Sequence, residues 1–110
     1  LKVAVGIESE NGIESKVAEV FEKSSYFAIA FLKDGNVSVE LFPTPVSEHP
    51  NPGLIPEWLK ALGVSVIVAR NIGKRVELIA KELGIKVKVG DFETLGDALS
   101  AGFEGEEGED

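Results

Sequence analysis

An α/β domain, with a mixed five-stranded sheet and helices on both faces, is what this chain predicts, and three observations carry the prediction. Short apolar runs with the period of strands stand at residues 2–7, 26–32 and 37–42. From residue 54 onward helical and strand patterns alternate. Two similar joints, Leu62-Gly63-Val64 and Leu83-Gly84-Ile85, place a glycine where a helix must release the chain into a buried strand. At 110 residues the chain has the length of one domain around a single core.

The elements follow in order. Residues 2–7 are almost continuously apolar, as expected of a strand covered on both faces, and Glu8-Ser9-Glu10-Asn11-Gly12 breaks the run. Ser15 is placed to cap a short helix in which Val17, Val20 and Phe21 share a face, ended by Ser24-Ser25. Residues 26–32 read as a second strand and Asp34-Gly35 as a hairpin turn. In the third strand Val37, Val39 and Leu41 alternate with Ser38, Glu40 and Phe42, so strands two and three should be antiparallel neighbours. Residues 43–53 carry prolines and polar residues without period, which predicts a long loop, the kind of segment that often carries function.

Leu54, Ile55, Trp58, Leu59 and Leu62 then form one helical stripe, with Pro56 tolerated in the first turn and Gly63 ending the helix. That spacing assigns Trp58 to core packing rather than to ligand stacking. Residues 64–69 are an apolar strand and residues 74–83 a helix with Val76, Ile79, Ala80 and Leu83 inward. Ile85, Val87 and Val89 make the last strand and complete a βαβ unit. Thr94 and Asp97 resemble a capping box opening a final helix through Leu95, Ala98 and Leu99. Residues 102–110 have too few apolar side chains to stay folded, so the expected division is a domain at 1–101 and an acidic disordered tail at 102–110. With the first strand beside the fourth, the outline is a ribonuclease-H-like three-layer domain.

Composition excludes several functions. A formal net charge of -8 disfavours nucleic acid, whose counterions must be displaced by lysine and arginine. With no Cys and no Met there is neither a thiolate-held zinc or iron-sulfur site nor a thioether ligand, so a metal would need histidine, carboxylate or backbone donors. No apolar run approaches the ~20 residues of a membrane span, and residues 1–7 are too short for a signal peptide, so no membrane role and a cytoplasmic location are expected. The absence of Cys, Met and Gln beside abundant Glu and Lys is the bias of thermophile proteins.

The order of elements, residues 15–27, and the stretch from Leu62 through Ile72-Gly73 to Gly84-Ile85-Lys86-Val87 resemble the dinitrogenase iron-molybdenum cofactor biosynthesis family, over about residues 1–101. That resemblance implies a ribonuclease-H-like fold and a nitrogenase accessory role. It also implies a ligand, the iron-molybdenum cofactor or its iron-sulfur precursor cluster. Family members usually show a His-Phe-Gly-Arg-like cluster after the first strand, where this chain has Val20-Phe21-Glu22-Lys23. Their glycine- and histidine-rich loop is here His49-Pro50-Asn51-Pro52-Gly53, and a glycine pair before Ile-Gly is here Arg70-Asn71.

In open α/β sheets ligands sit beyond the carboxyl ends of parallel strands, which gathers Glu8, Ser9, Arg70, Asn71, Gly90 and Asp91 on one rim. Arg70-Asn71-Ile72-Gly73 enters a helix, so free N–H groups, the positive dipole end and a guanidinium together suit an anion. The competing reading is that Asn71 caps the helix and Arg70 pairs with a neighbouring carboxylate. His49 is either an imidazole ligand to a metal or a solvated loop residue, and Lys23 either adds charge to an anion site or ends a short helix.

Enzyme readings lack support. Ribonuclease-type chemistry needs carboxylates in the central strands, where residues 3–7 and 64–69 have none, and no nucleophile set, phosphate loop or dinucleotide fingerprint is present. The expected function is a non-catalytic binding or carrier domain for an anionic metal cluster or similar anion, using Arg70, Asn71, Gly73, His49 and Lys23. The alternative is a protein-interaction or regulatory domain that has lost cluster binding.

Overall fold

The computed structural model describes residues 1–105. Five strands, β1 (Lys2–Ile7), β2 (Tyr26–Lys33), β3 (Asn36–Pro43), β4 (Val66–Ala69) and β5 (Lys86–Val89), form one sheet in the order β3-β2-β1-β4-β5. Three helices, α1 (Leu54–Ala61), α2 (Lys74–Glu82) and α3 (Leu95–Phe103), cover it. β1 pairs parallel with β4, Val3 opposite Val66, and β4 pairs parallel with β5. β2 is antiparallel to both its neighbours, so the sheet is mixed, as the sequence predicts.

The burial of β1 and β4 explains the layers. All four residues of β4 and residues 3–7 of β1 are buried, so successive side chains supply two cores, one on each face. On one face Ala4, Phe27 and Ile67 pack with Phe21, Ile55, Leu59, Ala80 and Ile85 beneath α1 and α2. On the other, Val3, Val5, Val66 and Val68 pack with Leu95, Ala98 and Leu99 of α3. Burying a side chain the size of Phe27 or Leu59 stabilises the fold by roughly 1.5–3 kcal/mol. Trp58 meets Phe27 and Phe42 edge to face, with centroids 5.6 and 5.8 Å away, and is a structural residue.

Turn chemistry sets the joints. Asp34 and Gly35 both take positive φ (52° and 81°), the geometry of a tight two-residue hairpin. Gly63 and Gly84 release α1 and α2 at φ 89° and 83°, the left-handed exit that a side chain would resist.

Two expectations are corrected. Ser15 caps no helix: its Oγ donates to the Gly12 carbonyl and accepts from the Asn11 N–H, closing a turn. The chain beyond it is extended, bridging Val17 to Ile7 and Lys16 to Thr94, and only a single 3-10 turn forms, at Phe21–Lys23. Tertiary pairing wins there because burying Val17 and Ala18 outweighs a marginal two-turn helix. The fold also continues past residue 101. Gly102 is buried against Val3 and Val68, and Phe103 packs against the α3-side core. Of the expected tail, residues 106–110 lie outside the described residues. Among the described residues no helix is long and apolar enough to cross a membrane.

Candidate functional site

The carboxyl ends of β1, β4 and β5 do form a rim, but the chain itself covers it. Residues 13–20 run across this end of the sheet: Glu8 N–H donates to the Lys16 carbonyl at 2.9 Å, Ala18 N–H to Gly6 at 2.9 Å and Val17 N–H to Glu93 at 3.0 Å. Val17 and Ala18 are buried in the process. The Glu8 and Gly90 N–H groups and the Gly6 carbonyl at this rim are therefore already engaged within the chain.

The same crossing decides the fate of Arg70 and Asn71. Asn71 accepts the Phe21 N–H at 2.8 Å through its carbonyl and donates its side-chain amide to the Glu19 carbonyl at 3.1 Å, so it anchors the crossing segment and caps nothing. Arg70 reaches the exposed Asp91 carboxylate at 3.5 Å, while its Nε is buried without a hydrogen-bond partner among the described residues. Arg70 thus pairs with a carboxylate, at a separation and exposure that make the pair weak.

The N-cap of α2 is Gly73, in an extended conformation and with no side-chain cap of its own. Its N–H donates to both carboxylate oxygens of Glu22, each at 3.0 Å. A Cβ at position 73 would lie 2.2 Å from Glu22 Oε2, so the absence of a side chain is what admits the carboxylate. Glu22 is held there by the 3-10 turn whose Phe21 is buried against Phe27 at 5.1 Å. An internal anion thus occupies the positive end of the helix.

Glu22 and Gly73 stand on the wall of an open cleft of about 750 Å³. Lys74, Arg75 and Val76 of α2 continue that wall. Leu54 and Ile55 of α1 form a second, and the 44–52 loop, with Pro45, Val46, Pro50 and Pro52, forms a third. The loop is tied down at both ends: Thr44 N–H bonds the Ser25 carbonyl at 3.3 Å, and Asn51 Oδ1 accepts the Gly53 N–H at 2.9 Å. Lys74 and Arg75 are exposed beside the cleft, so its character is apolar walls with two cations and one carboxylate at the helix end.

The structure therefore divides the expected site residues. Gly73 lines the cleft. His49 is an exposed residue of the loop, its N–H on Ser47 Oγ at 3.1 Å, standing between the lining residues Ser47 and Pro50. Lys23 is exposed beside Glu22 and does not line the cleft. Among the described residues no group of three or more histidines, cysteines, aspartates or glutamates is placed to hold a metal ion. Sequence reasoning missed Glu22, Lys74 and Arg75. Two cations opening a helix run against the helix dipole, which was the available signal for the latter pair.

Comparison with known proteins agrees with the fold. The family model described as dinitrogenase iron-molybdenum cofactor matches residues 1–105. No curated protein matches the chain significantly. The crystal structure of PH0822 is similar at a TM-score of 0.78 and 29% identity, covering 92% of this chain and 88% of that one. The NMR structure of TM1290 from Thermotoga, described as a candidate NifB protein of the DUF35 family, is similar at a TM-score of 0.71 and 27% identity, covering 94% and 88%. The apo form of the orange protein from Desulfovibrio gigas shares the fold at a TM-score of 0.76 and 19% identity, covering 94% and 88%.

Proposed function

The chain belongs to the dinitrogenase iron-molybdenum cofactor family, and on that premise we propose that it is a non-catalytic carrier domain whose cleft at the start of α2 receives an anionic metal cluster or similar anion. The observation that carries this reading is the Glu22 carboxylate on the Gly73 N–H, with Lys74 and Arg75 beside it. A negative group already rests at the place an anion would take. The cluster is cargo, and the donors suit a reversible hold by charge: the chain has no Cys or Met, and its one histidine stands on the outer loop. The incoming anion would displace Glu22 and take up the Gly73 N–H, the helix dipole and the two cations. Apolar walls from the prolines, Leu54 and Ile55 lower the local dielectric and strengthen those interactions.

The strand order, with β2 alone running against the other four, supports the ribonuclease-H-like reading of the fold. β1 and β4 hold no carboxylate for two-metal nuclease chemistry, which supports the non-catalytic reading. The test is an anaerobic NMR titration of the labelled chain with an iron-sulfur or iron-molybdenum cluster source, with phosphate as diamagnetic control. Saturable broadening at Gly73, Lys74 and Arg75, weakened at least tenfold by Lys74→Ala with Arg75→Ala, is expected. Silence of those amides at millimolar cluster ends the proposal.

One observation favours a second reading, a protein-interaction or regulatory domain that has lost cluster binding. Glu22 already satisfies Gly73 N–H, leaving that donor engaged in the free chain. Capture of a partner that survives loss of both Lys74 and Arg75, together with silent titrations, would select it.

A further inference from the structure

We propose that the outer edge of β3 is a self-association surface, on which two copies of this chain pair antiparallel with Val39 against Val39. β3 is an eight-residue edge strand, paired along its whole length with β2 and, among the described residues, with no strand on its other side. Exposed edges invite another chain, and proteins blunt them with lysines, prolines, bulges or brevity. The opposite edge is treated that way: β5 has four residues, two of them lysine, and Lys88 reaches the carbonyls of Ala101 and Glu104. β3 has no lysine, its register against β2 runs without a bulge, and its one proline stands at the last position. α3 packs chiefly on β1 and β4, and the β3 side of that face keeps its apolar side chains partly exposed. There Val37, Val39 and Leu41 are 50, 40 and 43% exposed, and Ile13, at 68%, shares a shallow hollow with Val39, Leu41 and Leu95.

A second copy is favoured because β3 is complementary to itself. Backbone groups alternate in direction along a strand, so a two-fold antiparallel pair must be centred on a residue. Centring on Val39 sets Val37 against Leu41, Ser38 against Glu40 and Asn36 against Phe42, so residues 36–42 pair with no like charges opposed. Centring on Glu40 sets two carboxylates face to face, and centring on Ser38 leaves Leu41 opposite the turn glycine Gly35. In the Val39 register the apolar side chains of both copies join into one band on the α3 side of the sheet. The net charge of -8 on each copy opposes association, so salt should strengthen it.

The chain contains no Cys, so single cysteines report cleanly. Opposed residues in such a pair lie about 4.5–5.5 Å apart at Cα, within reach of a disulfide. Val39→Cys is therefore expected to form a covalent dimer on mild oxidation. Val37→Cys and Leu41→Cys, each about 14 Å from its own copy, should stay monomeric alone and cross-link when mixed. In sedimentation equilibrium the unmodified chain should approach twice the monomer mass from micromolar to millimolar concentration, more completely in high salt. Val39→Lys should abolish that rise with its circular dichroism unchanged. A monomer at millimolar concentration in high salt, equal cross-linking of all three single cysteines, dimerisation of Val39→Lys like the parent, or preferential capture of an unrelated strand peptide by β3 would each overturn the proposal.

Discussion

Glu22 and Gly73 give the sharpest residue-scale expectations because one contact serves two ends. The carboxylate stabilises α2 by satisfying an orphan N–H and opposing the helix dipole, and it also blocks an incoming anion. Glu22→Gln should therefore lower stability by about 0.5–1 kcal/mol in urea unfolding while tightening phosphate or cluster binding severalfold in the NMR titration. Loss of both stability and affinity would mean that Glu22 is part of the ligand shell instead. None of this was legible in the sequence. Glu22 reads as an ordinary surface acid beside Lys23, and 51 positions separate it from Gly73, so no local spacing connects the two. The sequence does not connect Asn71 to its partner either, because Glu19 lies 52 positions back on a segment whose path only packing defines.

At the scale of elements, helix ends and close approaches decide what substitution does. Thr94 is, among the described helices, the N-cap residue whose own side chain closes the first turn, its Oγ1 accepting the Asp97 N–H at 3.2 Å, in keeping with the Thr94 to Asp97 pattern. Thr94→Ala should cost about 1 kcal/mol in chemical denaturation. Gly102 behaves against helix propensity. Alanine there gains up to ~1 kcal/mol of propensity, yet its Cβ would lie 2.6 Å from Val3 Cγ1 and 3.0 Å from Val68 Cγ2, both on buried strands. Gly102→Ala should destabilise by about 1–3 kcal/mol as α3 is pushed off the sheet, and a rise in thermal midpoint would refute that packing account. Composition marks residue 102 as the start of a tail, because residues 102–110 hold few apolar side chains. Its role comes from having no side chain at a helix–sheet contact, which composition does not express.

For the molecule as a whole, charge is unbalanced, with 19 acidic residues against 11 basic ones. The three ion pairs among the described residues, Lys16–Glu8, Arg70–Asp91 and Lys81–Glu77, each have at least one partner well exposed to solvent, so they contribute little. The net charge of -8, to which the four acids of residues 106–110 contribute half, repels itself along one short chain. Raising salt from low to physiological strength should raise the thermal unfolding midpoint by several degrees, equivalent to about 1 kcal/mol. A midpoint that falls with salt would show that attractive pairs dominate.

What the sequence determined by itself is the set of elements and their order: the alternating and continuous apolar runs, the Asp34-Gly35 hairpin, the glycine exits at Gly63 and Gly84, and the Thr94 cap. Each is written in residues a few positions apart, where period and backbone sterics act locally. Tertiary structure alone decided that residues 13–20 cross the strand ends as extended chain, covering part of the expected rim, and that the open cleft lies between α1, α2 and the 44–52 loop. These depend on contacts between segments distant in sequence, where burial of Val17 and Phe21 and the satisfaction of orphan backbone groups outweigh local propensity.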